Sequence, residues 1–172
     1  GSQHPEALGK AVRKAKADVG FAFDGDGDRM IAVDETGAVM TGDRLLAICA
    51  ASMKKEGLLT NNLVVRTVMS NIGLGLAFES LGIDSVMAGV GDRYVIEEMQ
   101  ARGASLGGED SGHLIFLQHH STGDGIISAL QVAAAMKKER KPLSELAKIM
   151  KVFPQMLINV NVKSRPEIET AP

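Results

Sequence analysis

Hydrophobic residues along this chain change their period several times, and each change marks an element. Ala7, Leu8, Ala11, Val12 and Ala15 recur at helical spacing behind Pro5, which predicts a short helix over His4–Lys16. Val19-Gly-Phe-Ala-Phe23 and Met30–Val33 read as strands with an acidic loop between them. Glu35-Thr-Gly37 then turns the chain into a third strand, Ala38–Thr41. From there strands and helices alternate. A helix capped by Asp43 runs to about Lys55, and the β-branched Leu63–Thr67 is a strand. Ile72–Leu81 is helical despite two glycines, Asp84–Ala88 is a strand and Asp92–Arg102 a helix. Leu114–Leu117 is a strand, Gly125–Arg140 and Leu143–Met150 are helices, and Gln155–Val162 is a last strand. This alternation implies βαβ units. The expected fold is α/β: a mixed, mostly parallel sheet flanked by helices, preceded by part of a second α/β domain whose strands run consecutively. The expected divisions are 1–40, 41–153 and a linker at 154–172.

Composition narrows the function classes. The 172 residues are 45% hydrophobic and 23% charged, enough apolar material for a packed core and too much for a disordered tail. Nineteen basic and 21 acidic residues leave a net charge of −2, so nucleic acid and anionic membrane are not expected as partners held by bulk positive charge. The apolar run around Ile126–Met136 is too short to span a bilayer. Cys49, the single cysteine, falls mid-helix and reads as packing; alone it makes no internal disulfide and gives no sign of an oxidising compartment. The chain opens on Gly1-Ser2 and ends on Lys163–Pro172 without a visible structural close, so it reads as a piece of something larger.

The candidate chemistry starts at Asp24-Gly-Asp-Gly-Asp-Arg29. Carboxylates at every second position, separated by glycines free to take unusual dihedrals, can converge on one point. Converged, they repel unless a cation or strong donors sit among them, and hard oxygen ligands select Mg²⁺ or Ca²⁺. A solvated acidic turn is the plain alternative. An EF-hand fits Asp24, Asp26, Asp28 and Glu35 but places Arg29 where that loop needs glycine, between strands instead of helices. An aspartyl-nucleophile phosphatase of the haloacid-dehalogenase type would carry Thr or Val in place of Asp28. A cation beside Arg29 suits a phosphate ester, whose oxygens both would neutralise.

The second motif is Gly107-Gly-Glu-Asp-Ser-Gly-His113. Glu109 can accept two hydrogen bonds and Ser111 can donate and accept, a grip suited to vicinal sugar hydroxyls; a polar turn with no ligand is the alternative. Phe21-Ala-Phe-Asp-Gly-Asp-Gly-Asp-Arg29 resembles the metal-binding loop of the α-D-phosphohexomutases, and the second motif resembles their sugar-binding loop, in the same order about 85 residues on. Thr67–Asn71, Val90–Val95 and Thr122–Gly125 resemble the branch of that family that acts on glucosamine phosphates. Asp110 stands where that branch often has Gln or Asn, and Gly89 stands where some members carry an acid/base lysine. Asp124 has the plainer reading of a helix cap. His119 and His120 show no ligand spacing and read as surface residues, as does His4.

The resemblance implies a four-domain cytoplasmic enzyme of amino-sugar and cell-wall precursor supply. In such an enzyme a phosphoserine in the first domain exchanges its phosphoryl group with a phosphosugar through a sugar 1,6-bisphosphate. It assigns Asp24, Asp26 and Asp28 to Mg²⁺, Arg29 to the phosphoryl group, Glu109 and Ser111 to sugar hydroxyls, and His113 to substrate binding and proton transfer. The chain shows neither the phosphoserine loop nor the phosphate loop of the fourth domain, so by itself it is expected to be inactive. A glucose- or mannose-phosphate mutase of the same family, a small phosphatase and a non-catalytic Mg²⁺ or Ca²⁺ module are the alternatives.

Overall fold

The computed structural model describes residues 5–156 and 158. Helix α1 (Glu6–Ala15) lies over an antiparallel sheet of consecutive strands, β1 (Val19–Phe23), β2 (Met30–Asp34) and β3 (Val39–Met40). Val19, Phe21 and Phe23 turn onto the main core, while the other face of β1 presents Gly20. A Cβ there would come within 2.5 Å of Val12, so the missing side chain lets α1 rest directly on the strand. Phe23 pairs with Met30, which makes Asp24–Arg29 the loop of a β-hairpin.

The second sheet has the order β5 (Asp84–Ala88), β4 (Leu63–Thr67), β6 (Leu106–Gly108), β7 (Leu114–Phe116). Strand β4 is parallel to β5 and β6, and β7 runs antiparallel to β6. As the central strand, β4 is buried on both faces. Val64 enters the large core with α2 (Gly42–Lys55), α3 (Ile72–Leu81) and α5 (Gly125–Glu139), and Val65 the smaller core under α4 (Asp92–Arg102). Helix α2 is buried almost all round, from Leu45 to Ala50. Its Cys49 thiol is pushed up to about 12 by burial, which makes it a packing residue without thiolate reactivity. Met30, Ala32 and Met40 of the first sheet share the large core, so the two sheets are packed as one body.

Four details differ from the sequence expectations. Strand β6 takes Gly107 and Gly108 out of the expected loop. Their Leu-Gly-Gly run carries no alternation to reveal a strand, yet both glycines are needed for clearance. A Cβ at Gly107 would lie 2.6 Å from the Met99 sulfur, and one at Gly108 would lie 2.8 Å from the His113 carbonyl. Thr41, not Asp43, holds the cap position of α2. The expected helix Leu143–Met150 divides into α6 (Leu143–Leu146) and a 3-10 turn, Ala147–Ile149. The strand expected at Gln155–Val162, the linker at 154–172 and His4 lie largely or wholly outside the described residues; Gln155 and Met156 are not in a strand.

Because β4, β5 and β6 are parallel, the loops at 68–71, 89–91 and 109–113 all leave the same edge of the sheet. Carboxyl ends of parallel strands are where α/β sheets place ligand sites.

Candidate active site

The acidic loop converges as its spacing predicts. Asp24, Asp26 and Asp28 each offer a carboxylate oxygen, and the three lie within 4.8 Å of one another. Of the two glycines, Gly27 takes a φ of +77°, a conformation that side chains rarely adopt. The Arg29 N–H donates to Asp24 Oδ1 at 3.1 Å, which folds the loop back, and the exposed Arg29 guanidinium stands 4.0 Å from Asp24 Oδ2. Partial desolvation pushes the Asp24 carboxyl up, but the hydrogen bond from Arg29 N–H and one with Asp28 outweigh it and hold its pKa below the ordinary value. Asp28 is raised by desolvation and by its neighbour Asp24. Three carboxylates this close repel one another, a condition that a bound divalent cation relieves. An all-oxygen set fits Mg²⁺.

The loop is anchored from below by α5. Gly125 N–H donates to Gly27 O at 2.8 Å, and a Cβ on Gly125 would press within 2.9 Å of Gly27, Phe23 and Arg29. Asp124 caps the helix through Ile127 N–H at 2.9 Å.

The hairpin between β6 and β7 carries the second motif. Glu109 N–H donates to His113 O at 2.9 Å and Gly112 N–H to Glu109 O at 3.1 Å. Gly112 has a φ of +90° and lies against Met30, whose N–H donates to Gly112 O at 3.0 Å. The first residue after the acidic loop is thus bonded directly to the hairpin. Glu109 is half-buried, with Oε1 accepting Gly91 N–H at 2.9 Å and Oε2 accepting the exposed Ser111 hydroxyl at 3.4 Å. Asp110 instead meets the start of α2, accepting Gly42 N–H at 3.0 Å and Asp43 N–H at 3.2 Å.

His113 joins the two loops across 85 residues of sequence. Its Nδ1 lies 3.1 Å from Asp28 Oδ2. The ring is buried, 2% exposed, and a Cβ at Gly123 would lie 2.4 Å from its Nε2, so glycine alone leaves room for the imidazole. The structure therefore brings Asp24, Asp26, Asp28, Arg29, Glu109, Ser111 and His113 together. It puts Glu109 and Ser111 at the accessible face and His113 behind Asp28. Sequence reasoning did not single out Gly123 as the backing of His113 or the Gly91 N–H as the donor that aims Glu109. Both fall in segments noted only for their resemblance.

Two family models match the chain: phosphoglucomutase/phosphomannomutase α/β/α domain III over residues 41–153, and α/β/α domain II of the same family over residues 2–37. The chain belongs to the phosphoglucomutase/phosphomannomutase family. A phosphoglucosamine mutase from Syntrophus aciditrophicus is 73% identical over all of this chain and 38% of that protein. One from Bacillus licheniformis is 55% identical over 98% of this chain and 38% of its own length. The chain therefore spans little more than a third of the curated relatives it matches. A phosphoglucomutase/phosphomannomutase family protein from Burkholderia thailandensis has the same fold, with a TM-score of 0.77 and 26% identity over 86% of this chain and 33% of its own. Aspergillus fumigatus N-acetylphosphoglucosamine mutase, solved with GlcNAc-6P and magnesium, superimposes at a TM-score of 0.69. At 20% identity over 84% of this chain and 38% of that one, it shares the fold.

Proposed function

We propose that this chain is the sugar-binding part, with the edge of the metal-binding part, of an enzyme that interconverts glucosamine 6-phosphate and glucosamine 1-phosphate. In this reading residues 1–40 end the metal-carrying domain, 41–153 form the sugar-binding domain and 154–172 lead onward. The observation that carries it is the joining of the acidic loop to the Glu109–Ser111 hairpin through Asp28–His113 and Met30–Gly112. The names of the relatives, at 73% and 55% identity, support the choice of sugar.

Asp24, Asp26 and Asp28 would hold Mg²⁺, which supplies Lewis-acid charge to a phosphoryl oxygen when bound. Arg29, exposed at the rim of the loop, neutralises further charge on the phosphoryl group. Glu109, aimed by Gly91 N–H, accepts hydrogen bonds from sugar hydroxyls, and Ser111 donates to or accepts from them. His113 holds Asp28 in place through Nδ1, 3.1 Å from Asp28 Oδ2. A phosphoserine elsewhere in the full-length protein would carry the phosphoryl group, with a sugar 1,6-bisphosphate as intermediate. The site would work in the cytoplasm, toward cell-wall precursors. Among the described residues no helix is long and apolar enough to cross a membrane.

The test is a coupled assay on the full-length protein with glucosamine, glucose and mannose phosphates. Fastest turnover is expected on glucosamine phosphates. Faster turnover of glucose or mannose phosphates would replace this reading with the sister activity, and the 172 residues alone are expected to turn over none of them.

A further inference from the structure

Asp43 is fully buried in the first turn of α2, and its carboxylate has no role in the site above. Its Oδ2 accepts Asn71 N–H at 2.6 Å. Its Oδ1 faces the buried Ser70 hydroxyl, a contact that favours the charged form of Asp43, and among the described residues neither atom has another partner. The backbone of the same turn reaches the other way. Gly42 and Asp43 N–H groups donate to Asp110, inside the Glu109–Gly112 turn, and a Cβ on Gly42 would lie 2.1 Å from Glu109 O.

Asn71 extends the connection. It caps α3 through Gly73 N–H at 3.0 Å, accepts Phe153 N–H at 3.0 Å and donates to Phe153 O at 2.8 Å. Gly73 makes this possible, since a Cβ there would lie 1.8 Å from Lys151 O. Asp43 therefore stands between the hairpin that carries Glu109 and Ser111 and the 151–155 segment that follows the 3-10 turn.

We propose that Asp43 is a positioning residue, which fixes the Glu109–Ser111 hairpin to the 68–71 loop and, through Asn71, to segment 151–155. The inference rests on the sugar-phosphate reading of that hairpin. A residue present only to accept one N–H needs no charge. A buried carboxylate held by one N–H and one hydroxyl, with no cation against it, is costly to the fold, and such costs collect where a site must be held in one geometry. Burial raises the Asp43 carboxyl to about 6 and Asp110 of the hairpin adds to the rise, against the hydrogen bonds from Asn71 N–H and Ser70 and the charge of Arg66 on β4.

The experiment is amide hydrogen exchange on the 172-residue chain and its Asp43→Asn variant at about pH 7.5 and about pH 5, on either side of the Asp43 transition. In the unmodified chain, protection of Asn71 N–H, corrected for intrinsic exchange, is expected to fall about tenfold toward pH 5, the size of one charge-assisted hydrogen bond lost. In Asp43→Asn, Asn71 protection is expected to be low at both pH values, with Gly42 and Gly112 amides loosened alongside. Unchanged Asn71 protection between the two pH values in the unmodified chain overturns the proposal without need of any variant. In the full-length protein, Asp43→Asn is expected to lower kcat/KM about tenfold at pH 7.5 while leaving Tm level or higher. A kcat/KM equal to that of the unmodified enzyme overturns the positioning role. If the unmodified enzyme turned over no phosphosugar, the functional reading would fail, and the exchange result would still decide whether Asp43 holds the hairpin.

Discussion

Asp24 and Asp28 sit on opposite sides of the ordinary carboxylate pKa although they belong to one loop. The Arg29 N–H favours charge on Asp24, while desolvation and Asp24 itself disfavour it on Asp28. A divalent cation removes the conflict, so losing one carboxylate should show as metal dependence. In the full-length enzyme Asp26→Asn is expected to lower kcat and to be partly rescued by raised Mg²⁺. Glu109→Gln is expected to cost about 1.5–3 kcal/mol in kcat/KM, the size of a charged hydrogen bond, with no rescue. Equal rescue of both variants, or of neither, would show that the division into a metal loop and a sugar loop is wrong. His113 gives a second handle. In Gly123→Ala the new methyl must displace the imidazole, whose Nε2 would be 2.4 Å away, and Asp28 loses its partner. Mg²⁺ affinity of the 172-residue chain, read by calorimetry, is expected to weaken about tenfold, as when a supporting contact behind a metal ligand is lost. Unchanged affinity would mean that the His113–Asp28 contact does not shape the metal loop.

Helix α3 shows how glycine acquires meaning at the scale of an element. Its sequence reads as a helix in spite of Gly73 and Gly75, each of which weakens a helix by about 1 kcal/mol relative to alanine. The structure separates the two. Gly73 faces the backbone of Lys151 at 1.8 Å, whereas Gly75 faces the guanidinium at the far end of the Arg66 side chain at 3.1 Å. Gly73→Ala is expected to destabilise the chain by about 1–3 kcal/mol through forced displacement of segment 151–155. Gly75→Ala is expected to stabilise it by up to about 1 kcal/mol, since Arg66 can swing aside. Denaturant midpoints of the two variants should move in opposite directions, and a shared sign would refute this account of α3. The same helix marks the limit of legibility. Ile72–Leu81, Asp84–Ala88 and Asp92–Arg102 were readable to the residue because period and glycine stops agree there. Strand β6 was not readable, because Leu106-Gly107-Gly108 owes its conformation to β4 and to Met99 across space. The Asp24–Asp28 cluster was legible from spacing alone. The burial of His113 and the turning of Asp43 away from the cap position depend on Gly123 and Asn71, which no local pattern connects to them.

At the scale of the whole molecule, two sheets of different hydrogen-bonding pattern share one core, and polar contacts at its upper edge decide how they are registered. Met30 to Gly112, Asp28 to His113 and Gly42 to Asp110 all cross between segments far apart in sequence. Asp43 lies among these contacts, and its titration reports on the assembled edge. Its pKa is about 6 in the folded chain against an ordinary 3.8, so the folded state holds the proton more tightly than the unfolded one. The stability gained from that tighter binding is complete below pH 3.8 and is lost as pH rises through about 6, at most about 3 kcal/mol for a shift of this size. Asp24 and Glu56, whose pKa values are lowered, work in the opposite sense, so the total curve of the chain mixes signs. Taking the difference between the unmodified chain and Asp43→Asn isolates the one group. Between about pH 4 and pH 7 that difference is expected to move steadily in favour of Asp43→Asn, which carries no charge to bury. Urea denaturation of both proteins across this range measures it, and a difference independent of pH would mean that Asp43 is not held in the folded chain as a buried, proton-binding carboxylate.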